Sequence, residues 1–284
     1  MKRVLSIVAL SACLTLGVQA EAPKADTKTE LKQTKEQRAN VINLAGKQRM
    51  LTQKMSKEAL FIAKGIDTKA NIEALKKTEA LFDKTLKGLV DGDSELNLPK
   101  TTDKDILAQL KKVSELWASM KKSIDVIASG KVDKKALESI AKENLPLLKN
   151  MNQAVQMYAK ASGSKLSPEM ASTINRAGKQ RMLTQKMTKE LLLVANGIDA
   201  EANKANAKKT AELFESTLKD LTDKCKDEKI KAQLGVVAKL WSDYKDIVVK
   251  ADTSDASLKK AEEMNMPLLK NMNKAVKMYE ASVK

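Results

Sequence analysis

Arg49 and Arg181 are the residues of this chain best suited to binding chemistry, because they hold the same place in two copies of one segment. Residues 42–58 read Ile-Asn-Leu-Ala-Gly-Lys-Gln-Arg-Met-Leu-Thr-Gln-Lys-Met-Ser-Lys-Glu, and 174–190 repeat them with Arg176 for Leu44 and Thr188 for Ser56. Arginine is scarce among the 52 basic residues, standing only at positions 3, 38, 49, 176 and 181. A chain that otherwise uses lysine has guanidinium at these two equivalent positions, where a planar, permanently charged, bidentate donor matters. Two readings stay open. The arginines are structural groups bonded to carboxylates or carbonyls of a neighbouring helix, or they are ligands for an anion, since a buried arginine requires a partner.

Other chemistry is poorly provided for. The chain has no histidine, the commonest general acid/base and metal ligand, which excludes the usual triads and the usual zinc and haem sites. A Gly-rich phosphate loop, a CxxC pair and an Asp-rich calcium loop are also missing. Met50, Met55, Met182 and Met187 read as adaptable core filling in the absence of histidine or paired cysteine, not as a soft-metal site. We expect no enzyme, no metal and no cofactor. The formal net charge is +16, which suits anionic surfaces or small anions. Aromatic residues make up only 3% of the chain and the lysines are interspersed with acids, so stacking platforms and a basic stripe for nucleic acid are both lacking.

The elements that must position the arginines come from the same duplication. Gly65-Ile66-Asp67 returns as Gly197-Ile198-Asp199, Leu81-Phe82 as Leu213-Phe214, and Leu116-Trp117 as Leu240-Trp241 after a shortening. Asn-x-Pro-Leu-Leu-Lys-Asn-Met-Asn occurs from Asn144 to Asn152 and from Asn265 to Asn273. Each copy reads as four helices with short connections, hence an up-down bundle. In the first copy these run up to Gly65, from Asp67-Thr68 to about Val90, from about Asp103 to Ser129, and from about Asp133 to Ala161 with a bend at Pro146. The fold expected is all-α, two tandem up-down four-helix bundles, with modules at 27–162 and 167–284. On the first helix, Leu44, Leu51, Met55 and Ile62 make an ordinary core stripe. Near the opposite side lie Ile42, Gly46, Arg49, Gln53, Ser56 and Leu60, flanked by Ala45 and Thr52. Small residues beside a polar group mark a close helix–helix contact. Asn150, Asn152, Asn271 and Asn273 line a polar pocket or cap contacts near the proline bend; we read them as the second.

The amino terminus carries Met1-Lys2-Arg3, an apolar run from Val4 to Val18 and Val18-Gln19-Ala20 before Glu21. This is the pattern of a secretory signal peptide over 1–20, so the mature chain is expected in the periplasm with a charge of +14, the leader's Lys2 and Arg3 accounting for the other two. A minor alternative is lipid anchoring through Cys13, from Leu10-Ser11-Ala12-Cys13. No later stretch is long and uncharged enough for a transmembrane segment. Cys225 is then the one remaining cysteine, which leaves no internal disulfide.

The run Ile-Asn-x-Ala-Gly-x-Gln-Arg-Met-Leu-Thr-Gln-Lys-Met resembles the first-helix signature of the N-terminal sensor domain of type IV pilus chemotaxis transducers, the PilJ family. It is more distantly similar to the periplasmic domain of NarX-type nitrate/nitrite sensor kinases. The resemblance implies a four-helix bundle that senses a small ligand. In the nitrate sensors the corresponding arginine of each of two subunits meets the anion where the first helices adjoin, which falls here on Arg49 and Arg181. It brings with it a ligand-binding set of Gln53, Gln185, Lys54, Lys186, Asn43 and Asn175. The nitrate sensors have shorter polar residues at the places of Gln48 and Gln53; pilus transducers carry the Gln-rich version. The implied function is a soluble periplasmic ligand-binding or sensory accessory protein, holding a nitrate- or nitrite-like oxyanion between its modules and working with a membrane sensor kinase or chemoreceptor. The alternative is a structural or protein-interaction module of the cell envelope with no small-molecule ligand.

Overall fold

A computed structural model describes residues 33–162 and 166–283 of the chain; the expected signal peptide, Cys13 and part of the linker lie outside them. The described residues form eight helices. In the first copy they are α1 (Lys35–Ala63), α2 (Thr68–Asp91), α3 (Lys104–Ala128) and α4 (Lys134–Ala161). The second copy supplies α5 (Pro168–Ala195), α6 (Ala200–Asp223), α7 (Glu228–Lys250) and α8 (Asp255–Ala281).

The boundaries follow from local chemistry. Thr34 and Gln37 make a reciprocal capping box at the start of α1. The Asp103 and Asp133 carboxylates accept from the first-turn amides of α3 and α4, and Ser167 caps α5 with Pro168 in its first turn. The turns into α2 and α6 are built alike. Gly65 and Asp67, like Gly197 and Asp199, take the left-handed conformation, and the side-chain amides of Asn71 and Asn203 donate to the carbonyls of Ile66 and Ile198. The longer α2–α3 connection of the first copy closes on itself through paired backbone bonds between Asp93 and Leu98, both 2.8 Å. Asn40 of α1 pins it by donating to the Leu96 carbonyl.

Within each copy successive helices pack side by side and the fourth returns to the first, giving an all-α pair of up-down four-helix bundles. Phe82 against Trp117 and Phe214 against Trp241, with ring centroids 4.7 and 5.1 Å apart, occupy equivalent places in the two cores. Pro146 and Pro267 are carried inside α4 and α8.

The most extensive helix–helix contact of the molecule is between α1 and α5, so the two copies lie side by side through their first helices. The later turns of these two helices are covered on all sides. From Gln48 to Ile62 every residue but Lys54 is buried, and from Gln180 to Leu193 every residue but Lys186. One stripe faces the helix's own bundle and the other faces the neighbouring copy, as the two-faced pattern predicts. No helix among the described residues is long and apolar enough to cross a membrane.

Candidate functional site

Arg49 and Arg181 meet in the seam between α1 and α5, each only 1% exposed. Small residues make the room. A Cβ placed on Gly46 would lie 3.3 Å from Arg49 Nη2 and 3.6 Å from Arg181 Nη2, so these two atoms lie no farther apart than the two distances together, 6.9 Å. Gly178 gives the mirrored arrangement, 3.4 Å from Arg181 Nη2 and 3.6 Å from Arg49 Nη2. A methyl group at either glycine would already be in contact with both guanidiniums, and a larger side chain would take up the space they share.

Each guanidinium is held at two points. Arg49 Nη1 donates to Asn152 Oδ1 of α4 at 2.7 Å, and its Nη2 donates across the seam to the Asn175 carbonyl at 3.1 Å. Arg181 repeats this with Asn273 Oδ1 of α8 at 2.8 Å and the Asn43 carbonyl at 3.0 Å. The Nε atoms of both arginines are buried without a partner. A guanidinium has five N–H donors, so both are under-supplied with acceptors.

The electrostatics are correspondingly unfavourable. Burial, and then the charge of Arg181, push the pKa of Arg49 down to about 9. Burial pushes Arg181 down to about 10, with Glu280 acting in the opposite direction. Both values stay above neutrality, so both groups are charged. Two unit charges about 6 Å apart repel by about 2–3 kcal/mol at an effective dielectric near 20. Among the described residues no carboxylate forms an ion pair with either arginine.

Of the other expected site residues, Asn43 and Asn175 reach the arginines through their carbonyls. The Asn43 side-chain amide donates to Glu280, and the Oδ1 atoms of both Asn43 and Asn175 are buried without a partner. Gln53 and Gln185 lie one helical turn on, fully buried, with Nε2 bonded to Thr52 and Thr184 respectively and both Oε1 atoms unpartnered. Gln185 Nε2 also donates to Asn265 Oδ1 at 2.8 Å. Lys54 and Lys186 are brought to other partners. They pair with Glu58 and Glu190 on their own helices and donate to Thr78 of α2 and Thr210 of α6, on the side turned toward their own bundles.

Two sets of residues join the site that its sequence pattern does not mark. Asn152 and Asn273, expected as caps near the proline, orient the arginines with their side chains instead; Asn150 and Asn271 do sit by the proline, donating to the Pro146 and Pro267 carbonyls. Lys57 and Lys189 form a second buried layer two turns below, about 12 Å along the helix. Lys57 Nζ donates to Asn265 Oδ1 of α8 and Lys189 Nζ to Asn144 Oδ1 of α4, both at 2.9 Å. Burial pushes both lysines down to about 8.

Two four-helix bundles thus lie side by side, with buried cations at the seam between their first helices. The chain belongs to the family described as the N-terminal part of type IV pili methyl-accepting chemotaxis transducers, the PilJ family, which it matches over residues 31–142 and 165–264. It is 33% identical over 112 residues to the methyl-accepting chemotaxis protein McpN of Pseudomonas aeruginosa, an alignment covering 39% of this chain and 20% of that protein. The chain thus spans about a fifth of the length of that relative. It is also similar to the solved ligand-binding domain of the P. aeruginosa nitrate receptor McpN, with 32% identity, a TM-score of 0.38, and coverage of 43% of this chain and 96% of that one.

Proposed function

We propose that this protein is a periplasmic sensory or accessory binding protein that holds one small oxyanion between Arg49 and Arg181. The observation that carries the reading is the meeting of two fully buried guanidiniums, each with an unpartnered Nε and neither paired to an acid among the described residues. An anion there replaces repulsion with charge-assisted hydrogen bonds of about 1.5–3 kcal/mol each. After ordering costs this supports micromolar to millimolar affinity. A planar oxyanion matches the planar donor fork, and the sequence relative McpN is a nitrate receptor, so nitrate is the first probe.

Binding would also act on packing. The anion competes with Asn152 and Asn273 for the guanidiniums, and those asparagines belong to α4 and α8, so the occupied and empty states differ in what holds these helices to the seam. A ligand with different affinity for the two states shifts their populations, which a membrane kinase or chemoreceptor partner could read. Calorimetric titration of nitrate, nitrite and chloride into the full chain tests the proposal: a saturable one-to-one signal for an oxyanion is expected. A flat titration would favour the alternative, an envelope interaction module. That alternative draws on the asparagine and carbonyl acceptors each arginine already has.

A further inference from the structure

The two copies differ at two places that matter for access to the arginines. Aligning α4 with α8 through the shared Asn-x-Pro segment sets Ala159 against Glu280 and Ala141 against Glu262. On the α8 side, Glu280 accepts from the Asn43 amide of α1 and Glu262 accepts from the Asn71 amide of α2. Asn43 is buried there. In the equivalent groove between α4 and α5, the alanines supply no such cover. Ala159 and Asn175 line a cavity of about 380 Å³, together with Gln156, Lys160 and Ala171. Ala141 lines a second of about 580 Å³ at the other end of the same groove. The exchanged positions are eighteen residues apart, five full helical turns, and so share one face of the helix.

The first cavity shares one residue with the site. Asn175, on its wall, is the residue whose carbonyl holds Arg49 Nη2; its Oδ1, like that of Asn43, is buried and unpartnered. Lys160 lines the cavity, and Lys179 lies near enough to Arg49 to feel its charge. On the opposite side Lys47 stands near Arg181 and Lys277, but there the Glu280 carboxylate is bonded to Asn43 and lies near both Arg181 and Lys277.

We propose that small anions reach the arginine pair through the cavity between α4 and α5, and that Glu280 closes the corresponding approach between α1 and α8. The inference rests on the anion-binding reading above and adds to it a direction: a site that is two-fold in its ligands is one-sided in its access. Ala159 leaves the mouth open on one side, and Glu280 fills it with a like-charged group on the other.

Single-cysteine variants Asn175→Cys and Asn43→Cys, made in the full chain carrying Cys13→Ser and Cys225→Ser, test the direction without depending on a ligand. Labelling by an anionic methanethiosulfonate is expected at least tenfold faster at 175 than at 43. Adding Glu280→Ala should raise the rate at 43 to within about threefold of that at 175, and adding Ala159→Trp should slow the rate at 175 about tenfold. Equal rates at the two cysteines, or a rate at 43 that ignores Glu280→Ala, would overturn the proposal. Where Asn43→Cys does not fold, the Ala159→Trp arm decides by itself, since an unslowed rate at 175 contradicts entry by that cavity. Nitrate titration of the unsubstituted chain is read separately. A flat titration beside strongly unequal labelling removes the anion reading and leaves the open groove standing.

Discussion

Arg49 of the first copy donates to the Asn175 carbonyl of the second at 3.1 Å, a bond from side chain to backbone across the seam. Its counterpart runs from Arg181 to Asn43. Each guanidinium therefore belongs to both copies at once, and removing either one tests the seam and the site together.

Arg49→Ala and Arg181→Ala should each abolish thermal stabilisation by nitrate. Truncating a buried structural ion costs about 3–5 kcal/mol, whereas here the loss of about 2–3 kcal/mol of mutual repulsion offsets the bonds removed. The ligand-free unfolding free energy should thus fall by no more than about 1–2 kcal/mol. Arg→Lys keeps the charge but not the fork, and should weaken nitrate binding by tenfold or more. Denaturant unfolding with and without nitrate checks both; a drop above about 3 kcal/mol without nitrate identifies a structural arginine.

Asn152→Asp puts a carboxylate where Arg49 now finds an amide oxygen. The added ion pair should stabilise the ligand-free protein by about 1 kcal/mol, or about 2–4 °C for a chain of this size. The same carboxylate occupies the charge that an anion would neutralise, so nitrate should no longer shift the midpoint. A variant that keeps the full nitrate response argues against a shared guanidinium.

Gly46→Ala sets two effects against each other. Alanine is favoured over glycine in a helix by about 0.8–1.0 kcal/mol, but its methyl would stand 3.3 Å from Arg49 Nη2. Since that atom ends a flexible side chain, the arginine yields and the helix keeps its gain. The expected result is an unfolding midpoint at or above the original with nitrate affinity reduced several-fold, measured by calorimetry and thermal melts on one sample.

Lys57 predicts a pH dependence. Burial lowers its pKa on folding from the ordinary lysine value of 10.5 to about 8, so between those values the unfolded chain binds the extra proton. Stability then rises with pH across this window, by about 1.4 kcal/mol for each pH unit and up to about 3 kcal/mol in all. Tyr158, pushed up to about 12 by burial, acts oppositely above pH 10, so the useful interval is pH 8–10. Lys57→Met should be the more stable protein at pH 7 and should show a flatter rise over that interval. Gln185 still supplies a donor to Asn265 in this variant. Parallel slopes for the two proteins would contradict the burial cost assigned to Lys57.

Much of this arrangement is legible in the sequence because duplication acts as an internal control. The repeat marks Arg49 and Arg181, the small residues beside them mark a close contact, and Asp103, Asp133 and Ser167 mark helix starts. What the sequence hides is direction. Asn150 and Asn152 are two residues apart and so face different ways; one turns to Gln109 and the proline carbonyl, the other to Arg49. Lys54 is the position that the family resemblance marks, and lysine is ordinarily exposed, so nothing local marks Lys57 as the buried one. Only the packing of α8 against α1 sets Lys57 inside. The exchange of Ala159 for Glu280 is visible in the aligned copies, but its meaning depends on which groove each residue borders.

The two arginines are supplied by one polypeptide, with helices α1 to α4 and a short connection joining them. In an assembly of identical separate chains every substitution appears in both halves of the seam, and dilution separates them. Here the partner copy is always present at the effective concentration set by a short tether, about millimolar or higher, so the site survives dilution intact. Each half is also free to drift alone, so an acidic residue can be acquired on one flank while the other stays small. Fusion has turned a symmetric seam into one that can have a front and a back.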